Sequence, residues 1–166
     1  SVRITATNPI ISLSLNFEAV PAFSSLPPGE VITVPSSPNY SYYFSHLALG
    51  GGWQTSVTYV NSSAQVVTCQ TSFFSDTGAP LAVSFGGAAA SSRTDSIPPG
   101  GTVHQQSQAN LNALVVAGWA QAQCSGAVKA SLLFRSYSQG AASAEAGVNA
   151  MTAPATQFVT FAETGT

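Results

Sequence analysis

Charged side chains are scarce in this sequence. Its 166 residues include four Lys or Arg and six Asp or Glu, so the charged fraction is 6% and the formal net charge is −2. Proteins that bind nucleic acid or anionic lipid neutralise phosphate groups with clustered Lys and Arg. The sequence contains no such cluster, and it therefore predicts that neither nucleic acid nor a membrane surface is a partner.

Long apolar runs are also missing. A membrane-spanning helix needs about 18 or more consecutive apolar residues, and no stretch approaches that length, so membrane insertion is not expected. Because the sequence begins at Ser1 and not at Met, we expect a mature chain whose export signal has been removed. The predicted location is extracellular or at the cell surface.

Cysteine occurs twice, at Cys69 and Cys124, each within a strand-like run. A disulfide between two strands or two sheets is the simplest pairing, and it favours an oxidising compartment. The alternative is a pair of buried free thiols in a reducing cell, because free cysteine is common in protein cores.

Alternation of apolar and polar residues dominates the remaining sequence, and helical periodicity is nearly absent. Turn-forming Gly, Pro, Asn and Ser interrupt this alternation about every 8 to 12 residues. The pattern predicts an all-β protein, an antiparallel β-sandwich of Ig-like or jelly-roll type. We expect residues 1–39 to supply an N-terminal strand segment and the first strands, and residues 40–166 to form the sandwich body and a terminal strand.

The N-terminal segment contains the clearest alternation, with apolar side chains on one face at Ile11, Leu13, Leu15 and Phe17. Such a strand can complete the sheet of a neighbouring copy and so build a filament or pilus-like homopolymer. These four residues are the candidate donor-strand interface. The alternative, in which the strand completes a sheet of its own chain, stays open.

No constellation of catalytic residues is recognisable. His46 and His104 are the two histidines, and neither has the spacing of a metal-ligand motif. The carboxylates are scattered singly, so no acid–base pair is visible. The sequence predicts a non-enzymatic protein without a metal or cofactor.

Aromatic residues suggest a second function, a carbohydrate-binding or adhesion module. Trp53, Tyr42 and Tyr43 are the candidate glycan platform, since aromatic rings contact the C–H faces of sugars, although core packing is the commoner use of such residues. Asn39 and Asn61 begin two glycosylation sequons, which matter only if the producing cell glycosylates exported proteins.

Several short landmarks follow one another along the chain. They are Gly50-Gly51-Gly52-Trp53, Pro98-Pro99-Gly100-Gly101, Gly118-Trp119-Ala120, Phe134-Arg135 and Glu145-Ala146-Gly147-Val148. In this order they resemble a poorly characterised group of secreted bacterial β-domains, often repeated in large exported proteins. The resemblance covers about residues 40–166. It implies a β-sandwich and export, with landmarks that serve structure, and it implies no reaction.

Overall fold

The computed structural model describes the backbone of residues 2–10, 14–17, 23–26, 29–30, 40–138, 141–153 and 155–160, and the side chains of residues 40–138 and 141–153. These ranges contain strands, turns and loops but no helix, which confirms the all-β prediction. The strands are β1 (Val2–Ile10), β2 (Ser14–Phe17), β3 (Phe23–Leu26), β4 (Gly29–Glu30), β5 (Ser41–Leu49), β6 (Trp53–Val60), β7 (Val67–Ser75), β8 (Ser92–Ile97), β9 (Thr102–Gln106), β10 (Val116–Cys124), β11 (Lys129–Ser138), β12 (Ala141–Asn149) and β13 (Ala155–Thr160).

Eight of these strands form two four-stranded antiparallel sheets. The front sheet has the order β5-β10-β7-β8, and the back sheet has the order β12-β11-β6-β9. Their inner faces share one hydrophobic core, so the predicted antiparallel β-sandwich is confirmed. Strands that are distant in sequence, such as β5 and β10, lie side by side.

The core forms because successive side chains of a strand point to opposite faces of its sheet. In β7, the side chains of Val67, Cys69, Thr71 and Phe73 are buried, whereas the residues between them are partly or fully exposed. Burial of a large apolar side chain contributes roughly 1.5–3 kcal/mol. The largest fully buried rings are those of Phe44, Tyr59, Phe73 and Phe134, and they provide much of this stabilisation.

The terminal strands pair with one another outside the front and back sheets. β1 and β4 flank β13 in a separate antiparallel sheet, and β2 pairs with β3. Two of the predicted donor-strand residues, Leu15 and Phe17, belong to β2 and therefore pair within their own chain. The other two, Ile11 and Leu13, lie outside the described residues.

The two ends of the sandwich differ. The chain enters the sandwich at Ser41 and leaves it at Asn149, and these residues pair with Gln123 and Ser131, which flank the turn that joins β10 to β11. Both connections to the terminal strands are therefore at one end, which we call the terminal end. The opposite end, the loop end, carries the turn between β5 and β6 and the loop between β9 and β10.

Candidate functional site

The predicted disulfide joins the two central strands of the front sheet. Cys69 of β7 lies directly opposite Cys124 of β10, and their sulfur atoms are bonded. The Cys69 side chain is completely buried. The pairing predicted from the sequence is confirmed, and the described part of the chain contains no free cysteine.

Asn61 does not present a glycosylation site in the folded protein, which corrects the sequence prediction. Its side chain is 0% exposed. The Nδ2 atom donates hydrogen bonds to the backbone carbonyls of Gln65, Ile97 and Pro98, at 2.7, 3.2 and 3.1 Å, and Oδ1 accepts from the backbone N and the Oγ of Ser63. A glycan on Nδ2 would displace these bonds. The other predicted glycosylation residue, Asn39, lies outside the described residues.

The predicted glycan platform is not assembled. Tyr42 is 5% exposed, and its hydroxyl accepts a hydrogen bond from the backbone N of Val128 at 2.8 Å. Trp53 belongs to the back sheet, where its ring centroid lies 6.0 Å from that of the buried Phe134. Tyr43 is partly exposed on the front sheet. Adjacent residues of a strand point to opposite faces, so Tyr42 and Tyr43 cannot share one surface.

A different aromatic group lies on the outer face of the front sheet. Trp119 of β10 stands opposite Phe74 of β7, and their stacked rings have centroids 4.3 Å apart and an interplanar angle of 20°. Gln121 lies on the same face and donates from Nε2 to the hydroxyl of Tyr43 at 3.3 Å. We call the partly or fully exposed side chains Tyr43, Gln70, Ser72, Phe74, Trp119 and Gln121 the front face.

The two histidines, His46 and His104, lie in different environments. His46 packs edge to face against Phe134, with ring centroids 4.9 Å apart. Burial lowers the pKa of His46 below its ordinary value, an effect that the negative charge of Asp76 partly opposes. His104 is exposed, and its Nδ1 lies 2.9 Å from Thr58 Oγ1. Side-chain hydrogen bonding and packing therefore account for both residues.

The described residues contain no group of three or more His, Cys, Asp or Glu side chains placed to hold a metal ion. Within the same ranges, no helix is long and apolar enough to cross a membrane.

An exposed apolar surface occupies the loop end, and the sequence analysis identified no candidate functional residue in it. It consists of Leu111, Leu114, Val115 and Val116, whose exposures are 56, 88, 60 and 37%. We call these four residues the apolar ledge. Isolated apolar residues are ordinary on protein surfaces, whereas large contiguous apolar patches are typical of contact surfaces.

The turn of consecutive glycines, Gly50–Gly52, supports this ledge. Gly51 N donates to the carbonyl of Ala113 at 2.8 Å, and Gly52 N donates to the carbonyl of Asn110 at 3.1 Å. All three glycines have a positive φ, a conformation that side-chain-bearing residues rarely adopt. Glycine also lets the turn approach closely, because a Cβ on Gly50 would lie 2.0 Å from the carbonyl oxygen of Leu114.

Replacing Gly50 by Ala should lower the free energy of unfolding by about 3 kcal/mol, through the left-handed backbone and the clash with Leu114. Gly78 is a matched control, because its φ is 82° and no atom lies within 4 Å of a Cβ placed there. Gly78→Ala should therefore lower it by only about 1 kcal/mol. Urea denaturation measures both values. Equal losses would show that the close approach at Gly50 contributes nothing.

The landmark residues have structural roles where they are described. Arg135 and Glu145 lie opposite each other on β11 and β12 and form an ion pair across the back sheet. Gly101, which follows the two prolines, accepts a hydrogen bond from the backbone N of Asn61 at 2.9 Å. The Gly50–Gly52 turn is hydrogen-bonded to the loop that contains the apolar ledge. Membership of the secreted β-domain group stays a prediction.

Comparison with known proteins gives information about the fold and none about an activity. No protein-family model matches the chain, and no curated protein matches it. Among solved structures, the chain is similar to the crystal structure of Thermotoga maritima 1070, with a TM-score of 0.52 and 9% sequence identity. The similarity covers 68% of this chain and 93% of that chain. At this identity, the comparison shows a shared fold alone.

Proposed function

We propose that this protein is a non-enzymatic structural subunit of an extracellular assembly, in which copies join head to tail into a filament or pilus-like polymer. The proposal rests on the difference between the two ends of the sandwich. The connections to the terminal strands leave one end, and the apolar ledge occupies the other. A contact between two unlike surfaces repeats without limit unless the rotation between copies closes a ring.

The apolar ledge supplies the surface for one half of this contact. Leu114 is its most exposed residue, at 88%, and removing such side chains from water favours association. The loop is hydrogen-bonded to the Gly50–Gly52 turn. A surface that is already ordered loses less conformational entropy on binding than a flexible one. We propose that a second copy of this chain covers the ledge.

The terminal strands supply the other half. β1 and β13 pair in a sheet that is separate from the front and back sheets. Donation of the N-terminal strand to a neighbouring copy would therefore break no backbone pairing of the front or the back sheet. Pairs made within one chain can form equally between copies. This supports donation of the segment that contains Ile11, Leu13, Leu15 and Phe17.

The disulfide is consistent with an extracellular location. The bond between Cys69 and Cys124 is stable in an oxidising compartment, whereas the cytosol keeps most thiols reduced.

Assembly is tested by light scattering and negative-stain electron microscopy of the purified chain over a range of concentrations. We expect regular polymers from the unmodified chain. Deletion of residues 1–20 and the substitution Leu114→Asp should each reduce the mass to that of one chain, because each removes one side of the contact.

Leu133→Asp is the matched control. It introduces the same charge on the outer face of the back sheet, midway along β11 and away from both ends, and it should leave polymer length unchanged. A monomeric unmodified chain at every concentration, or normal polymers from Leu114→Asp and from the deletion, would contradict the proposal.

A further inference from the structure

We propose that the front face binds a neutral polysaccharide, with Trp119, Phe74, Tyr43 and Gln121 as the contacting side chains. The front face is distinct from the apolar ledge and from the terminal strands, so this binding does not depend on the proposed assembly.

The four side chains form one strip across three neighbouring strands. Trp119 and Phe74 are directly opposite on β10 and β7, and Gln121 and Tyr43 are directly opposite on β10 and β5. Trp119 and Gln121 are two residues apart on one strand, which places them on the same face roughly 7 Å from each other. The sheet pairing thus brings three aromatic rings and an amide together from segments that are far apart in sequence.

The chemistry of the strip suits a sugar chain. Aromatic rings present an apolar face to the C–H groups of a pyranose, while amide and hydroxyl groups exchange hydrogen bonds with sugar hydroxyls. Gln121 and Tyr43 are already hydrogen-bonded to each other, so both polar groups are oriented beside the stacked rings. Gln70 and Ser72 extend the same polar surface along β7.

The distribution of charge indicates that the occupant is neutral. The outward positions of β5, β7 and β10 carry no charged residue. In the neighbouring β8, the guanidinium of Arg93 forms two hydrogen bonds with the buried carboxylate of Asp95. The ion pair of Arg135 with Glu145 lies on the back sheet. An acidic polymer would find no cation on the front face, whereas a neutral one leaves no charge unpaired.

Binding is tested by co-sedimentation of the full chain with insoluble cellulose, chitin and starch, and with calcium alginate as an acidic comparison. We expect depletion from solution by at least one of the three neutral polymers and not by alginate. Because the contact is uncharged, high salt should not change the bound fraction. Trp119→Ala should weaken binding about tenfold, since it removes the larger ring.

Two further variants separate loss of binding from loss of folding. Gln121→Ala leaves the stacked rings in place and should also weaken binding, with the unfolding curve unchanged. Tyr137→Ala removes an aromatic side chain that is hydrogen-bonded to Gln54 on the outer face of the back sheet, and it should bind as the unmodified chain does.

Four results would overturn the proposal. Three of them are absence of depletion by every neutral polymer, equal loss of binding in Trp119→Ala and Tyr137→Ala, and abolition of binding by salt. If Trp119→Ala changes the mass measured by light scattering and leaves polysaccharide binding unchanged, the front face is a contact between copies, and the proposal is wrong. The assembly experiment with Leu114→Asp is independent of each of these outcomes.

Discussion

Asn61→Ala is expected to lower the free energy of unfolding by about 4 kcal/mol. The substitution removes the donor for the backbone carbonyls of Gln65, Ile97 and Pro98, and it removes the acceptor for Ser63. A buried polar group left without a partner costs about 1–3 kcal/mol. The side chain also links the turn after β6 to the end of β8, so its loss weakens the connection between the back sheet and the front sheet at this point.

Asn61→Asp separates the contribution of the Nδ2 donor from that of the Oδ1 acceptor. It keeps the oxygen that accepts from Ser63 and replaces the donor by a second oxygen facing the three carbonyls. We expect Asn61→Asp to destabilise the protein at least as much as Asn61→Ala, because a buried charge is then added to the lost hydrogen bonds.

Asn112→Ala is the matched control, since Asn112 is exposed in the loop between β9 and β10 and its backbone N keeps its bond to Asn110 Oδ1. It should change the free energy of unfolding by less than about 0.5 kcal/mol. Urea denaturation at neutral pH measures all three variants. A loss under about 1 kcal/mol for Asn61→Ala would show that water replaces the side chain in this turn.

Removing the disulfide with Cys69→Ala and Cys124→Ala together is expected to cost about 4 kcal/mol. The bond joins residues separated by 55 positions, and the entropy lost by the unfolded chain on closing a loop of this length corresponds to about that value. The two cysteines are in register at the end of the ladder between the two central strands of the front sheet. The native sheet therefore needs no rearrangement to lose the bond, and the effect should fall on the unfolded chain.

The unmodified chain treated with a reductant provides the comparison. In reductant, its urea midpoint should fall close to that of the double variant, and reductant should not change the double variant. If the double variant stays within about 1 kcal/mol of the unmodified chain, the packing of the two sheets carries the stability and the disulfide is dispensable.

Local pattern indicated most strands of the sandwich body and the simplest pairing of the two cysteines. In β7, alternation from Val67 to Phe73 distinguishes the inward residues from the outward ones, because the two-residue period of a strand is a local property. The same period assigns Tyr42 and Tyr43 to opposite faces. The predicted glycan platform ignored this rule, and the structure corrects it.

The roles of Asn61 and of the loop at Leu114 could not be predicted. An Asn-Ser-Ser tripeptide is consistent with a tight turn and with a glycosylation site. The side chain of Asn61 is buried because it binds the carbonyls of Ile97 and Pro98, which are 36 and 37 positions away in the sequence. The loop before β10 has no periodicity. Its exposure depends on the Gly50–Gly52 turn, which reaches it only in the folded sandwich.

The sequence by itself predicted the fold class, the alternation of inward and outward residues along strands such as β7, and a disulfide as the simplest pairing of the two cysteines, because alternation, turn residues and a single pair of cysteines are read locally. The tertiary structure alone decided which strands are neighbours. Tyr43 meets Gln121 across 78 positions of sequence, and Trp119 meets Phe74. Such pairings are selected by burial of the shared core and by closure of long loops, free-energy terms that belong to the whole chain and to no segment of it.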